Sequence, residues 1–209
     1  MNIDVYSDVV CPWCLIGKRQ LENAIAQYGK PVTVNWRAFQ LNPTLEPEGM
    51  ERKDYLAMKF GRTNPAEIYA RVKSVASGLG IAMNIEAITR QPNTLKCHLL
   101  IAQAAKEGGA QMQATLKEAL MDAYFIQATD LTQDAELIRI ALAAGLSQET
   151  VSQAMASLDA QAAIRQEDSV ARESGISGVP FFIFNRTVAV SGAQGAKALL
   201  DAMKQSEAA

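Results

Sequence analysis

The stretch that decides the fold is SDVVCPWCLIGKR, Ser7 to Arg19. Two cysteines, Cys11 and Cys14, stand two residues apart behind a short apolar run. If Cys11 is the N-cap of a helix, Pro12 takes the first helical position, where its missing N–H costs nothing. Trp13 is then second and Cys14 third. An N-cap side chain accepts from the N–H of the second or third residue. A sulfur at Cys11 therefore faces unpaired amides and the positive end of the helix dipole. Both favour thiolate over thiol, and such positions lower a cysteine pKa from about 8.5 to between about 3.5 and 7.5. Lys18 and Arg19 add to that bias, and a nearby Asp8 opposes it. Residues three apart on a helix share a face, so Cys14 reaches Cys11 with little backbone motion. The outer thiolate can attack a disulfide and the inner thiol can then resolve the mixed disulfide.

Two other readings of the pair are an inert disulfide and half of a zinc site. The only partners for zinc are Cys97 and His98. Neighbours on a helix point about 100° apart, so both could hardly bind one metal.

Composition narrows the classes. The 209 residues are 49% hydrophobic and 20% charged, ordinary values for a globular protein. A net charge of −2 gives no electrostatic case for nucleic acid or an anionic membrane. No apolar run approaches the roughly 18 residues needed to span a bilayer. The opening MNIDVYSDVV has no basic or long apolar segment and reads as a strand rather than a signal peptide, so a cytoplasmic protein is expected. Three cysteines are too few for a disulfide scaffold, and in a reducing compartment close cysteines are catalytic or metal-binding more often than structural.

Working outward, Ile3, Val5 and Val9–Val10 suggest a buried first strand. Apolar positions Ile16, Leu21, Ala24, Ile25 and Tyr28 follow helical spacing up to Gly29. PVTVNWRAF alternates, with Val32, Val34, Trp36 and Ala38 on one face, and reads as a second strand. Two strands joined by a helix should be parallel. From Asn42 to Ser174 no strand is legible. Caps are expected at Asn64, Asn93, Thr132, Ser147 and Asp159, with stops at Gly108–Gly109, Gly145 and Gly175. Strands return in VPFFIFN and TVAV, joined by a tight turn at Asn185–Arg186. A last amphipathic helix should bury Leu199, Leu200 and Met203, with Ser206 to Ala209 frayed. The layout predicts an α/β fold of the thioredoxin arrangement, a four-stranded mixed sheet with a large all-helical insertion. Residues 1–41 and 175–209 would form the thioredoxin-like domain, and 42–174 the inserted subdomain.

DVVCPWCLIGKRQLE resembles the active-site segment of DsbA-like thioredoxin-fold proteins of the FrnE-like branch. SGISGVPFFIF resembles their cis-proline segment, and VSGAQ the turn after the hairpin. The resemblance covers nearly the whole chain. It implies a thiol–disulfide oxidoreductase with Cys11 as nucleophile and Cys14 as resolving thiol. It implies a cis Pro180, with Val179 offering its backbone to an extended substrate, and Pro12 and Trp13 facing that substrate. Trp13 could be an apolar platform or could pack on the inserted helices. Asn93 and His98 would correspond to the "N…H" helix near the site. The implied partners are disulfide or dithiol substrates, whether peptide, protein or glutathione, with no metal and no tightly bound cofactor; glutathione as co-substrate and a homodimer stay open. Two departures stand out: the dipeptide is Pro-Trp rather than the Pro-His of exported DsbA proteins, and no signal peptide is expected from the opening residues. Kappa-class glutathione transferases and hydroxychromene-carboxylate isomerases share the scaffold but carry Ser where this chain has Cys11, so a glutathione-dependent transferase or isomerase is the alternative. A redox-inactive peptide-binding module is a third reading. Cys97 shares a stripe with Leu100, Ile101 and Ala104 and reads as a buried structural thiol. DYLAMKF and LMDAYFI read as core, and the scattered Lys and Arg as solvated surface.

Overall fold

A computed structural model describes residues 1–208. The chain opens with β1 (Asn2–Ser7), α1 (Pro12–Tyr28) and β2 (Thr33–Ala38). It then runs through β3 (Met50–Glu51), α2 (Arg52–Phe60), α3 (Pro65–Ile68), α4 (Ala70–Gly78) and β4 (Arg90–Gln91). Next come α5 (Leu95–Phe125), α6 (Asp134–Ala143), α7 (Gln148–Ala156) and α8 (Leu158–Glu173). It closes with β5 (Phe181–Phe184), β6 (Val188–Ser191) and α9 (Ala196–Ala208).

Four strands form one sheet in the order β2-β1-β5-β6. β1 runs parallel to β2 and antiparallel to β5, and β6 returns antiparallel to β5. This is a thioredoxin-like fold with a large helical insertion. The register places Val5 opposite both Trp36 and Phe182, and Ile3 opposite Phe184. These side chains are buried together with Leu21 and Ala24 of α1 and Leu199 and Met203 of α9. Alternation with period two thus gives one apolar face, and α1 and α9 cover it. Asn185 and Arg186, at φ 46° and 63°, make the hairpin turn.

The first strand stops short of Val9 and Val10. The chain turns at Asp8, whose carbonyl accepts the Cys11 N–H at 3.2 Å, and both valines are buried in that turn. Within the insertion β3 and β4 pair over two residues each, too short for any alternation to betray them. Two caps also differ from expectation. Ser157, not Asp159, accepts from Ala160 and starts α8. Thr132 bonds Asp130, and Gln133 precedes α6. At the C-terminus, Ser206 to Ala208 are helical rather than frayed. Ser206 is buried against the Asn185 amide, and Lys30 pairs with Glu207 at 2.8 Å. Ala209 lies outside the described residues.

α5 is a helical hairpin. Gly108 (φ −128°, ψ 16°) and Gly109 (φ 65°, ψ −161°) leave the helical region, and the second conformation is open essentially to glycine alone. Along a straight helix His98 and Lys117 would stand about 28 Å apart at 1.5 Å per residue, yet both line one small cavity. The second limb docks on the edge of β2. Gln113 donates to the Trp36 carbonyl at 2.9 Å and accepts the Trp36 N–H at 3.0 Å. Glu167 of α8 accepts the Ala38 N–H at 3.2 Å. An edge strand presents unpaired amides, and here side chains of the insertion satisfy them.

Candidate active site

The turn after β1 and the start of α1 place the two cysteines. Cys11 is the N-cap, extended at φ −91° and ψ 112°, and Pro12 takes the first helical position. The Cys11 carbonyl accepts the Cys14 N–H at 3.0 Å. The Cys11 thiol makes no cap hydrogen bond. As a donor it needs an acceptor, and it donates to the Val179 carbonyl at 3.5 Å. The Val179–Pro180 peptide is cis. Cys11, Cys14, Pro12, Val179 and Pro180 therefore come together, although the tip of α1 and the start of β5 are far apart in sequence. Trp13 is half-buried beneath the Arg71 guanidinium of α4, 5.8 Å from its ring centroid, so it packs on the inserted helices.

Cys14 is 1% exposed. Burial, together with the neighbouring Cys11 sulfur, pushes its thiol well above the ordinary value. Behind it lies a buried polar layer. Asp8 is fully buried, with Leu41 N–H donating to its Oδ2 at 2.7 Å and His98 Nε2 standing 3.4 Å from its Oδ1. Burial alone would raise the Asp8 carboxyl; the neighbouring His98, the Leu41 amide and Lys117 outweigh it, and the group ionises below its ordinary value. The Leu41 amide is held in turn by α8, where Asp168 accepts the neighbouring Gln40 N–H at 2.8 Å and pairs with Arg172.

His98 is only 2% exposed, so it sits behind the dithiol rather than on a substrate-facing surface. Asn93 works locally. Its Oδ1 accepts from Leu95 N–H at the start of α5, and its amide donates to the Leu45 carbonyl. Its recorded partners are Gln40, Leu45 and Leu95, none in the cysteine segment. Lys18 and Arg19, expected to bias the sulfurs, have carboxylate partners of their own. Both are engaged by Glu22 and Glu118. Cys97 is wholly buried, and burial followed by the Asp8 charge pushes its thiol up to about 12.

Two cations escaped sequence reading. Lys117 is 1% exposed, its ammonium 5.5 Å from the Trp36 ring centroid. It stood in plain view on the apolar stripe Gln113, Leu116, Leu120, Met121 and Tyr124, where a solvated lysine has no place. Arg52 is buried among Tyr69, Tyr124 and Gln91, donating to Tyr69 Oη at 2.7 Å. Nothing in the short α2 singles it out. Among the described residues no three His, Cys, Asp or Glu side chains are grouped to hold a metal, and no helix is long and apolar enough to cross a membrane.

Comparison with known proteins agrees with this geometry. YwbO, an uncharacterized protein of Bacillus subtilis strain 168, is 29% identical over 210 residues, covering 98% of each chain. The crystal structure of a probable DsbA oxidoreductase from Streptomyces coelicolor superposes with a TM-score of 0.87 at 29% identity, over 100% of this chain and 90% of that one. The cytosolic disulfide reductase DsbM from Pseudomonas aeruginosa, solved with GSH, shares the fold at 12% identity and a TM-score of 0.71, over 100% of both chains. The DSBA-like thioredoxin domain model matches residues 2–204. With a cysteine pair at the tip of α1 facing a cis-proline turn, the chain belongs to the DSBA-like thioredoxin domain family of thiol–disulfide oxidoreductases.

Proposed function

We propose that this protein is a thiol–disulfide oxidoreductase of the FrnE-like branch, with Cys11 as nucleophile and Cys14 as resolving thiol. One observation carries the reading: the Cys11 sulfur lies 3.5 Å from the Val179 carbonyl at the amide-rich start of α1, with Cys14 one turn deeper. An anion at Cys11 meets the positive end of the helix. An extended substrate can pair with the Val179 backbone as an added strand, which sets its disulfide beside the sulfur. Attack by Cys11 forms a mixed disulfide and expels one substrate thiolate. Cys14 then attacks the Cys11 sulfur, closes the internal disulfide and releases the second thiol. Sparse cysteine use favours a reducing compartment, the cytoplasm, as the place of work.

Insulin reduction and dithiol oxidation test the reading. Cys11→Ser should fall to the uncatalysed rate in both, and a variant that keeps its activity refutes the assignment. Glutathione is the smallest candidate thiol partner, since DsbM was solved with GSH. The same likeness supports the second reading, a glutathione-dependent transferase or isomerase using this pocket. Calorimetric titration that finds no binding at millimolar glutathione removes it.

A further inference from the structure

One lobe of the insertion, α2 to α4, packs on α1 and is basic. Residues 52–73 carry six cations against two acids, a net +4, in a chain whose net charge is −2. Two of the six are engaged. Arg52 is buried among tyrosines and Gln91, and Lys73 pairs with Glu86. Arg71 instead reaches the segment of the cysteines. Its guanidinium carbon lies 5.8 Å from the ring centroid of Trp13, which stands between Pro12 and Cys14. Arg71 is exposed, and among the described residues no carboxylate lies within ion-pair distance of it. Glu67, the acid nearest to it in sequence, accepts from the Asn64 amide at 2.9 Å.

A guanidinium over an indole face is held by the negative face of the ring, yet it keeps its full charge. Its N–H donors fit a carboxylate two at a time. The Cα atoms of Cys11 and Trp13, two residues apart, stand no more than about 7 Å from each other. A side chain beside a substrate cysteine that meets Cys11 is therefore within reach of the pair Trp13–Arg71. We propose that Arg71 is a specificity-determining residue of the dithiol site: it selects peptide or protein disulfides whose cysteines are flanked by aspartate or glutamate, and it disfavours those flanked by lysine or arginine. The inference rests on the dithiol reading above. Lys53, Lys59 and Arg62 also lack a carboxylate within ion-pair distance among the described residues, and Lys59 stands 5.4 Å from the Tyr55 ring centroid. They give the rest of the lobe the same sign, which speeds the approach of an acidic substrate without touching its disulfide.

Three disulfide peptides of one length, with their cysteines flanked by Glu, by Gln or by Lys, test the proposal in single turnover with the reduced protein. In each reaction the protein dithiol is oxidised to its disulfide and the peptide disulfide is reduced to two thiols. Each rate is divided by that peptide's own rate with dithiothreitol, which removes differences in intrinsic reactivity. The wild type should react fastest with the Glu peptide and slowest with the Lys peptide, at least about fivefold apart in about 0.01 M salt. The gap should close as salt is raised to about 1 M and the screening length falls from about 30 Å to about 3 Å. Arg71→Met keeps an apolar stem over Trp13 without the charge, and should bring the three rates within about twofold of one another. Arg71→Lys keeps the charge and should keep the order. An equal loss with all three peptides in Arg71→Met would mark a packing role and overturn the proposal. So would the wild-type order surviving in that variant, or a wild type indifferent to the flanking residue. A wild type that reacts with none of the peptides fails the dithiol reading and the proposal with it, a different result from reaction without preference.

Discussion

Gly17 and Pro180 touch across the site: a Cβ on Gly17 would stand 2.8 Å from the Pro180 ring and 3.1 Å from the Phe182 ring. The hydrogen of glycine lets the second turn of α1 lie directly on the cis-proline turn. That contact sets how far the Cys11 sulfur is from the Val179 carbonyl.

Gly17→Ala would ordinarily favour a helix by up to about 1 kcal/mol. Here a rigid proline ring cannot move aside, and overpacking of this kind costs about 1–3 kcal/mol. The variant should lose stability in urea denaturation and exchange thiols more slowly. Unchanged stability with unchanged exchange would show that α1 does not bear on the turn.

Cys14→Ser should leave the first attack intact and strand the substrate on Cys11. Intact mass spectrometry after exposure to a disulfide peptide would show the added peptide mass, removable by reductant. No adduct would contradict the division of roles between the two cysteines.

The sheet, the cysteine-bearing turn and the cis-proline strand were legible because each has a local signature: period-two alternation, proline after an N-cap, and a dense β-forming run. The break at Gly108–Gly109 was legible for the same reason. The layer behind the dithiol was not. His98 and Lys117 line one cavity only because α5 doubles back, a tertiary fact no local pattern carries. His98 was singled out in the sequence, but its depth behind Asp8 depends on the same hairpin. Lys18 and Arg19 misled because Glu118, far along the chain, neutralises them. Their own neighbourhood shows only Glu22.

The Asp8 carboxyl ionises below its ordinary value in the folded state. A depressed folded value contributes stability that is fully present above the unfolded pKa of about 3.9 and is lost as pH falls through the folded value. Asp8→Asn should therefore cost about 3 kcal/mol near neutral pH, and the gap to wild type should narrow in acid. Urea titrations at pH 7 and pH 3 with an equal gap would sink this account.

Cys97, pushed up to about 12 and wholly buried, should ignore iodoacetamide at pH 8 while Cys11 reacts. Peptide mapping would place the label, and urea should then unmask Cys97. Equal labelling of both in the folded protein would mean that the first limb of α5 opens readily.

Arg186 holds a positive φ of 63° in the exposed hairpin turn. Asn-Gly is the pair such turns favour. Arg186→Gly should stabilise the protein by up to about 1 kcal/mol without altering thiol exchange. Thermal melts and the insulin assay would check both halves.

In the finished sheet Ile3 is bonded to Phe184. At ribosomal speeds of roughly 5–20 residues per second, on the order of ten to thirty seconds pass between the making of Cys14 and the making of Val179. For that interval the nascent chain carries a reactive sulfur pair with no strand beside it to align a partner, and β1 has one flank open. Catalytic competence is thus acquired late in translation, after the insertion has been synthesised.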